Sequence, residues 1–159
     1  MVIKIKKFLT HIPKTNNKIA ANKYWKINNQ SIYNGAINTF SRAIVIENLH
    51  KYIMDKLPDV IFEGFPIKIS IIIRTVKNHG NIRRRKNGEI SWKKPDDDFI
   101  PTWDEDNLTS IWTKVIRDSL VKKGIIPDDN VKFIKGGYRG VEFVEDIEDR
   151  EIIIKIEKI

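Results

Sequence analysis

The chain has 159 residues, 41% of them apolar, with a formal net charge of +8 and no cysteine. That length suits one globular domain with its own core, and the missing thiols exclude disulfides, thiolate metal sites and cysteine nucleophiles, so any metal must be held by oxygen or imidazole. The positive balance favours a polyanionic partner, because Lys and Arg gain affinity by displacing counterions condensed on nucleic acid.

Ile3 and Ile5 alternate with Lys4 and Lys6, the pattern of a first strand with one buried face. The lysines also break any apolar run that a signal peptide or a membrane span would need, so the expectation is a soluble cytoplasmic protein with no membrane partner. A polar, basic loop follows from Thr10 to about Asn34, holding Asn16, Asn17, Lys18, Lys23 and Lys26. A loop of that length is either functional or poorly ordered. Between Gly35 and Pro58, the residues Ile37, Phe40, Ile44, Ile53 and Leu57 recur near helical spacing and predict a helix of about five turns that covers a sheet.

Ile67, Ile69, Ile71 and Ile73 alternate with Lys68, Ser70, Ile72 and Arg74, which predicts a central strand. Residues 78–98 are basic and weakly apolar. Asn87-Gly88 favours a tight turn, so Ile82 to Lys86 and Glu89 to Lys93 either pair as a protruding basic arm or form a disordered basic loop. From Leu108 onward, Ile111, Trp112, Val115, Ile116 and Leu120 fall on one side of a helical wheel, with Asn107, Ser110, Lys114, Arg117 and Asp118 on the other. Asp106 is the expected N-cap of this helix and Gly124 its stop. Val131 and Phe133 predict a short strand, and Ile152, Ile154 and Ile156 a last one. The fold class expected is α/β (α+β): a single domain with a mixed sheet and flanking helices.

The charge is polarised along the chain. Residues 1–95 hold 19 Lys/Arg against 5 Asp/Glu, and residues 96–159 hold 10 against 16. This pattern predicts a basic rim around an acidic centre. Four carboxylates, Asp104, Asp106, Asp128 and Asp129, bracket the second predicted helix. Crowded carboxylates repel one another and are tolerated when a cation sits between them, which points to a divalent-metal site acting on phosphates. Each also has a plainer reading, as a helix-start charge or as part of the Pro127-Asp128-Asp129-Asn130 turn. A helix of about 17 residues spans roughly 25 Å, so a site that joins both points needs tertiary folding. Trp112 is expected in the core, and Trp25, Trp92 and Trp103 as packing or loop anchors in preference to base stacking. His11, His50 and His79 have no ligand spacing and are expected to be structural or surface residues.

Asp104-Glu105-Asp106-Asn107-Leu108, then Lys114, Asp118-Ser119-Leu120, Gly124 and Asp128-Asp129, resembles the motif of the RusA-type Holliday junction resolvases of phages and prophages. Ile12-Pro13-Lys14-Thr15-Asn16-Asn17 is similar to that family's Pro-x-Ser/Thr-x-Asn segment, and the predicted elements follow in the family's order. Two departures stand out. The family lysine usually lies four residues beyond the second Asp, where this chain has Ser110, and the 78–98 segment is longer than the family norm. The resemblance implies a RusA-like fold in a homodimer that resolves four-way DNA junctions by paired symmetric nicks, in DNA recombination and repair. It implies a Mg²⁺ site, with Mn²⁺ as a substitute, at Asp104, Asp106 and Asp129 with Asp128 as helper. Asp104, Asp106, Asp129 and Lys114 are then the catalytic residues.

The expected nucleic-acid contacts are Asn16, Asn17, Lys18, Lys23, Lys26, Asn107 and the run Arg83, Arg84, Arg85 and Lys86. Three other readings stay open: a nuclease for flaps or forks, a non-catalytic basic DNA-binding module, and a protein-binding accessory factor.

Overall fold

The computed structural model describes residues 1–14, 24–34 and 38–159. In chain order they form β1 (Val2–Lys6), β2 (His11–Pro13), β3 (Tyr24–Lys26), a π-type turn (Gln30–Asn34), α1 (Thr39–Lys56), β4 (Ile67–Thr75) and a 3₁₀ turn (His79–Asn81). There follow β5 (Arg83–Arg84), β6 (Ile90–Ser91), α2 (Glu105–Lys122), β7 (Arg139–Phe143), a second 3₁₀ turn (Ile147–Asp149) and β8 (Glu151–Lys158). Among the described residues no helix is long and apolar enough to cross a membrane.

Isoleucine alternation sets the main sheet, whose order is β1-β8-β4-β7. β8 is antiparallel to both neighbours and β7 is parallel to β4, so the sheet is mixed. The register aligns Ile5, Ile152 and Ile73 in one cross-strand row and Ile3, Ile154 and Ile71 in the next. All six are buried, and each such side chain is worth about 1.5–3 kcal/mol of apolar burial. α1 and α2 pack on this face through Val45, Leu49, Ile53, Ile111, Trp112, Val115 and Ile116, giving a single small α+β domain. The opposite face carries a polar row in which the Arg74 guanidinium donates to Glu142 at 2.8 Å and to Glu151 at 3.0 Å.

In α1, Asn38 is the cap and accepts from the Ser41 N–H. Val45, Leu49 and Ile53 recur every four residues and form the buried stripe. Phe40, assigned by spacing to the apolar face, is instead 75% exposed, because it lies in the first turn ahead of that stripe. Gly35 and Ile37, where the helix was expected to begin, lie outside the described residues.

The cap of α2 is Asp104, not Asp106. Asp104 has the extended backbone a cap requires and accepts from the Asp106 N–H at 3.0 Å, whereas Asp106 is already inside the first turn. Gly124, at φ +76°, ends the helix as expected. The buried stripe is wider than the apolar residues alone indicate. Thr109 and Ser119 are buried as well, each returning its hydroxyl to the carbonyl four residues back.

The strand expected at Val131 and Phe133 is a turn. The Asn130 side chain accepts from the Lys132 N–H and its carbonyl from the N–H groups of Phe133 and Ile134, which coils the chain and leaves Val131 83% exposed. Pairing resumes at Ile134, opposite Ile67, and the strand itself is β7. Gly137 (φ +130°) passes so close to β4 that a Cβ would collide with the Ile69 carbonyl.

The long N-terminal loop contains the β2–β3 ribbon and the π-type turn, anchored by buried Ile12, Ile27 and Ile32. The basic arm is a hairpin, but a short one: Arg83 faces Ser91 and Arg84 faces Ile90. Its turn differs from a two-residue Asn87-Gly88 loop. The Gly88 N–H donates to the Arg85 carbonyl and Arg85 to Glu89, with Gly88 at φ +91°, the pattern of a three-residue loop with a glycine bulge. The arm does not protrude freely. Ile82, Ile90 and Trp92 pack with Val76, Val144 and Ile147, and the Trp92 indole donates to Asn78 at 2.5 Å.

Candidate functional site

α2 carries the predicted acids at its two ends. Asp104 and Asp106 are exposed at its start, and Asp128 and Asp129 lie in the turn beyond its end. Two rulers measure the gap within one copy. A helix of 18 residues is about 27 Å long. The start of α2 is also tied to the far end of β4, where the Trp103 indole donates to the Lys77 carbonyl at 2.6 Å, while the chain after Asp129 returns to the beginning of β4 at Ile67. Nine strand residues span about the same length. One copy therefore brings Asp104 to Asp106, and Asp128 to Asp129, but not the two pairs together. Among the described residues no three Asp, Glu or His side chains gather as a metal site.

At the C-terminal end, Asp128 is engaged on both oxygens, by the Asp129 N–H at 2.7 Å and the Asn130 amide at 2.5 Å. Asp129 makes no such bond among the described residues and is exposed. Beside this turn, Phe62, Phe65 and Phe133 stack edge-on, and Val60, Ile61 and Val131 are exposed.

The N-terminal end borders a cleft of about 400 Å³ lined by Lys26, Asn28, Gln30, His79, Gly80, Thr102, Trp103, Asp104 and Asn107. Asn107, expected as a DNA contact, has a structural bond here: its carbonyl oxygen accepts from the Gln30 N–H at 2.5 Å and ties α2 to the π-type turn. Lys26 reaches across from β3 and donates to the carbonyls of His79 at 3.0 Å and Gly80 at 2.7 Å. Arg83 donates to the same Gly80 carbonyl at 2.7 Å. Burial, with Arg83 adding like charge, pushes the Lys26 pKa down to about 8.

His79 forms the inner part of this end. It is buried between Phe8 and Trp103, its Nδ1 shares a hydrogen bond with the Thr75 hydroxyl at 2.8 Å, and its Nε2 is buried without a partner among the described residues. Burial, helped by Lys26, His11 and Arg150, lowers its pKa to about 3. His11 is lowered to about 4 by burial and by Lys26, Arg84 and Arg83. Sequence spacing gave no sign of this imidazole and cation cluster, because its members come from β2, β3, a 3₁₀ turn and β5.

The remaining predicted residues divide by position. Arg84 lies over the Tyr24 ring at 3.2 Å, so the hairpin and the β2–β3 ribbon present one continuous basic surface with Arg83 and Lys26. Arg85 and Lys86 are exposed at the hairpin tip. Lys114 is exposed over the Tyr33 ring at 5.4 Å, on the α1 side near His50. It is ten residues past Asp104, about 15 Å along the helix axis. Asn16, Asn17, Lys18 and Lys23 lie outside the described residues. Trp112 is fully buried, as expected.

The four carboxylates offer the hard oxygen donors that suit Mg²⁺ or Mn²⁺. In one copy, however, each end of α2 supplies only a pair. In comparison with known families and curated proteins, no family model matches the chain and no curated protein matches it.

Proposed function

We propose that this chain is a Mg²⁺-dependent endonuclease that resolves four-way DNA junctions as a homodimer. The observation that carries the reading is the pattern Asp104-x-Asp106-Asn107-Leu108, an 18-residue helix and Asp128-Asp129, which resembles the RusA-type resolvases. Lys26, which shares a cleft with Asp104 and meets Arg83 at the Gly80 carbonyl, supports it, since phosphate-tracking cations and metal-binding carboxylates must adjoin in any such enzyme.

Asp104, Asp106 and Asp129, with Asp128 as helper, would hold the metal, which when bound supplies an activated water and charge neutralisation at a phosphodiester. Asp104 uses one oxygen as helix cap and has the other for this role. Asp128 steadies the turn, and Asp129 presents the freer carboxylate. Because α2 holds the pairs apart, the reading requires a second copy to bring its Asp128–Asp129 end to the first copy's Asp104–Asp106 end. A twofold dimer does this twice, once for each of the two equivalent strands of a junction. The exposed Val60, Ile61 and Val131 offer apolar surface for such a contact. Lys114, named for the catalytic lysine by resemblance, lies over Tyr33 on the α1 side and about 15 Å along the helix from Asp104, too far to neutralise charge at a phosphate beside Asp104 in the same copy.

The test is incubation with a synthetic four-way junction, with and without Mg²⁺. The wild type gives paired symmetric nicks only with metal. Asp104→Asn and Asp129→Asn each lose roughly a thousandfold in rate, about 4 kcal/mol of transition-state stabilisation, yet still bind the junction. Full activity in either variant refutes the assignment, and preferential cutting of flaps or forks moves the substrate to those branches. A second reading, a DNA-binding module, is favoured by the cap bond of Asp104 and the turn bonds of Asp128. It predicts junction binding with no metal-dependent nicking.

A further inference from the structure

We infer that Lys26, on the wall of the cleft at the start of α2, and Arg83, which meets it at the Gly80 carbonyl on the rim, together bind one DNA phosphodiester. Two cations converge there on a single acceptor, the Gly80 carbonyl, at 2.7 Å each. Neither makes an ion pair among the described residues, and like charges this close are held together only by the backbone carbonyls between them. An ammonium has three donors. Two of those on Lys26 are taken by His79 and Gly80, which leaves one for an anion.

Burial is the main reason the Lys26 pKa is depressed, and the like charge of Arg83 adds to it; a phosphate between the two cations would relieve the second cause. The walls fit a phosphodiester: Trp103 gives an apolar side for sugar or base, and the cleft of about 400 Å³ is wider than a lone ion requires. Asp104 lines the same cleft, so a strand held by Lys26 runs past the carboxylates of the proposed nuclease, whereas Lys114 lies on the α1 side. The inference rests on the DNA-cleaving reading only for the identity of the anion.

The experiment is an NMR titration of the full chain without metal, following the Gly80 amide and the Trp103 indole N–H. Three probes are compared: the dinucleotide dTpT, its neutral methylphosphonate analogue, and inorganic phosphate. The wild type gives saturable shifts at both groups with dTpT and none with the methylphosphonate. Lys26→Met and Arg83→Gln each weaken dTpT binding about tenfold, as expected for a lost charge-assisted hydrogen bond, while Lys68→Met does not. Arg83→Gln keeps the Lys26 bonds, so it reports on the anion even where Lys26→Met disturbs the 3₁₀ turn. Unchanged dTpT affinity in Arg83→Gln, or equal binding of the methylphosphonate, overturns the inference. Binding of inorganic phosphate with no dTpT binding overturns the assignment to DNA. dTpT binding in a protein that nicks no DNA defeats the nuclease reading and leaves this site standing.

Discussion

At the start of α2, Asp104 and Asp106 stand beside a cleft with Lys26 on its wall, Arg83 bonded to the Gly80 carbonyl at its rim, and a buried imidazole behind it. Past its end, Asp128 and Asp129 sit in a tight turn whose neighbours are Phe62, Phe65, Phe133 and exposed Ile61. The same side-chain chemistry thus occurs in a cationic setting and in an apolar one. Carboxylates that look equivalent in sequence differ in what surrounds them. In the proposed function, each end is half a site, and the apolar end is the one that docks.

The largest effect that sharpens this contrast is on acid stability. His79 titrates at about 3 in the folded protein and near 6.5 when unfolded, so between these values the unfolded chain binds the extra proton. Its contribution is fully present above pH 6.5 and is lost as pH falls toward 3, at about 1.4 kcal/mol per unit, a few kcal/mol in all. Denaturant titrations should show this slope added to one from His11, whose pKa is lowered to about 4, and His79→Gln should remove the His79 share. Hydrogen exchange should show acid loosening at residues 76–82 before residues 60–67; the reverse order would break the contrast between the ends.

A smaller effect concerns salt. Replacing Arg83, Arg84, Arg85 and Lys86 with glutamine should reduce the slope of log K against log salt for junction binding by up to about 3.6, and an unchanged slope would remove the hairpin from the interface. The smallest concerns the cap. Asp104→Ala should cost about 1 kcal/mol of stability, whereas Asp104→Asn, an equally good cap, should leave the melting temperature nearly unchanged while stopping cleavage. Equal melting losses in both variants would mean that the carboxylate has a structural role beyond capping.

The parts of the fold legible in the sequence are those with strong periodicity. The isoleucine strands β1, β4 and β8 and the apolar side of α2 announce themselves because each buries one face against a single neighbour layer. β7 is hidden because Arg139-Gly140-Val141-Glu142-Phe143 has few apolar residues, and Val131 and Phe133 imitate a strand that Asn130 turns into a coil. The hairpin is legible but its register is not, since Asn87-Gly88 fits two loop types and only the Arg85–Glu89 bond selects one. The acids are legible by spacing. So is the length of helix between them, but whether the fold closes that gap is not, because it depends on which end of β4 each chain segment joins. The Lys26–Arg83 pair is invisible for a similar reason: Gly80, the atom that unites them, is 54 residues from Lys26.

A subunit-mixing assay tests most directly whether the two ends of α2 meet across a dimer. Asp104→Asn/Asp106→Asn protein and Asp128→Asn/Asp129→Asn protein are each incubated with a four-way junction and Mg²⁺, alone and after unfolding and refolding together. In the mixed dimer one site loses all four carboxylates and the other keeps all four. The prediction is that each variant alone is inert and the mixture makes single nicks without paired cuts. An inert mixture, with mixed dimers verified by mass, would contradict the account.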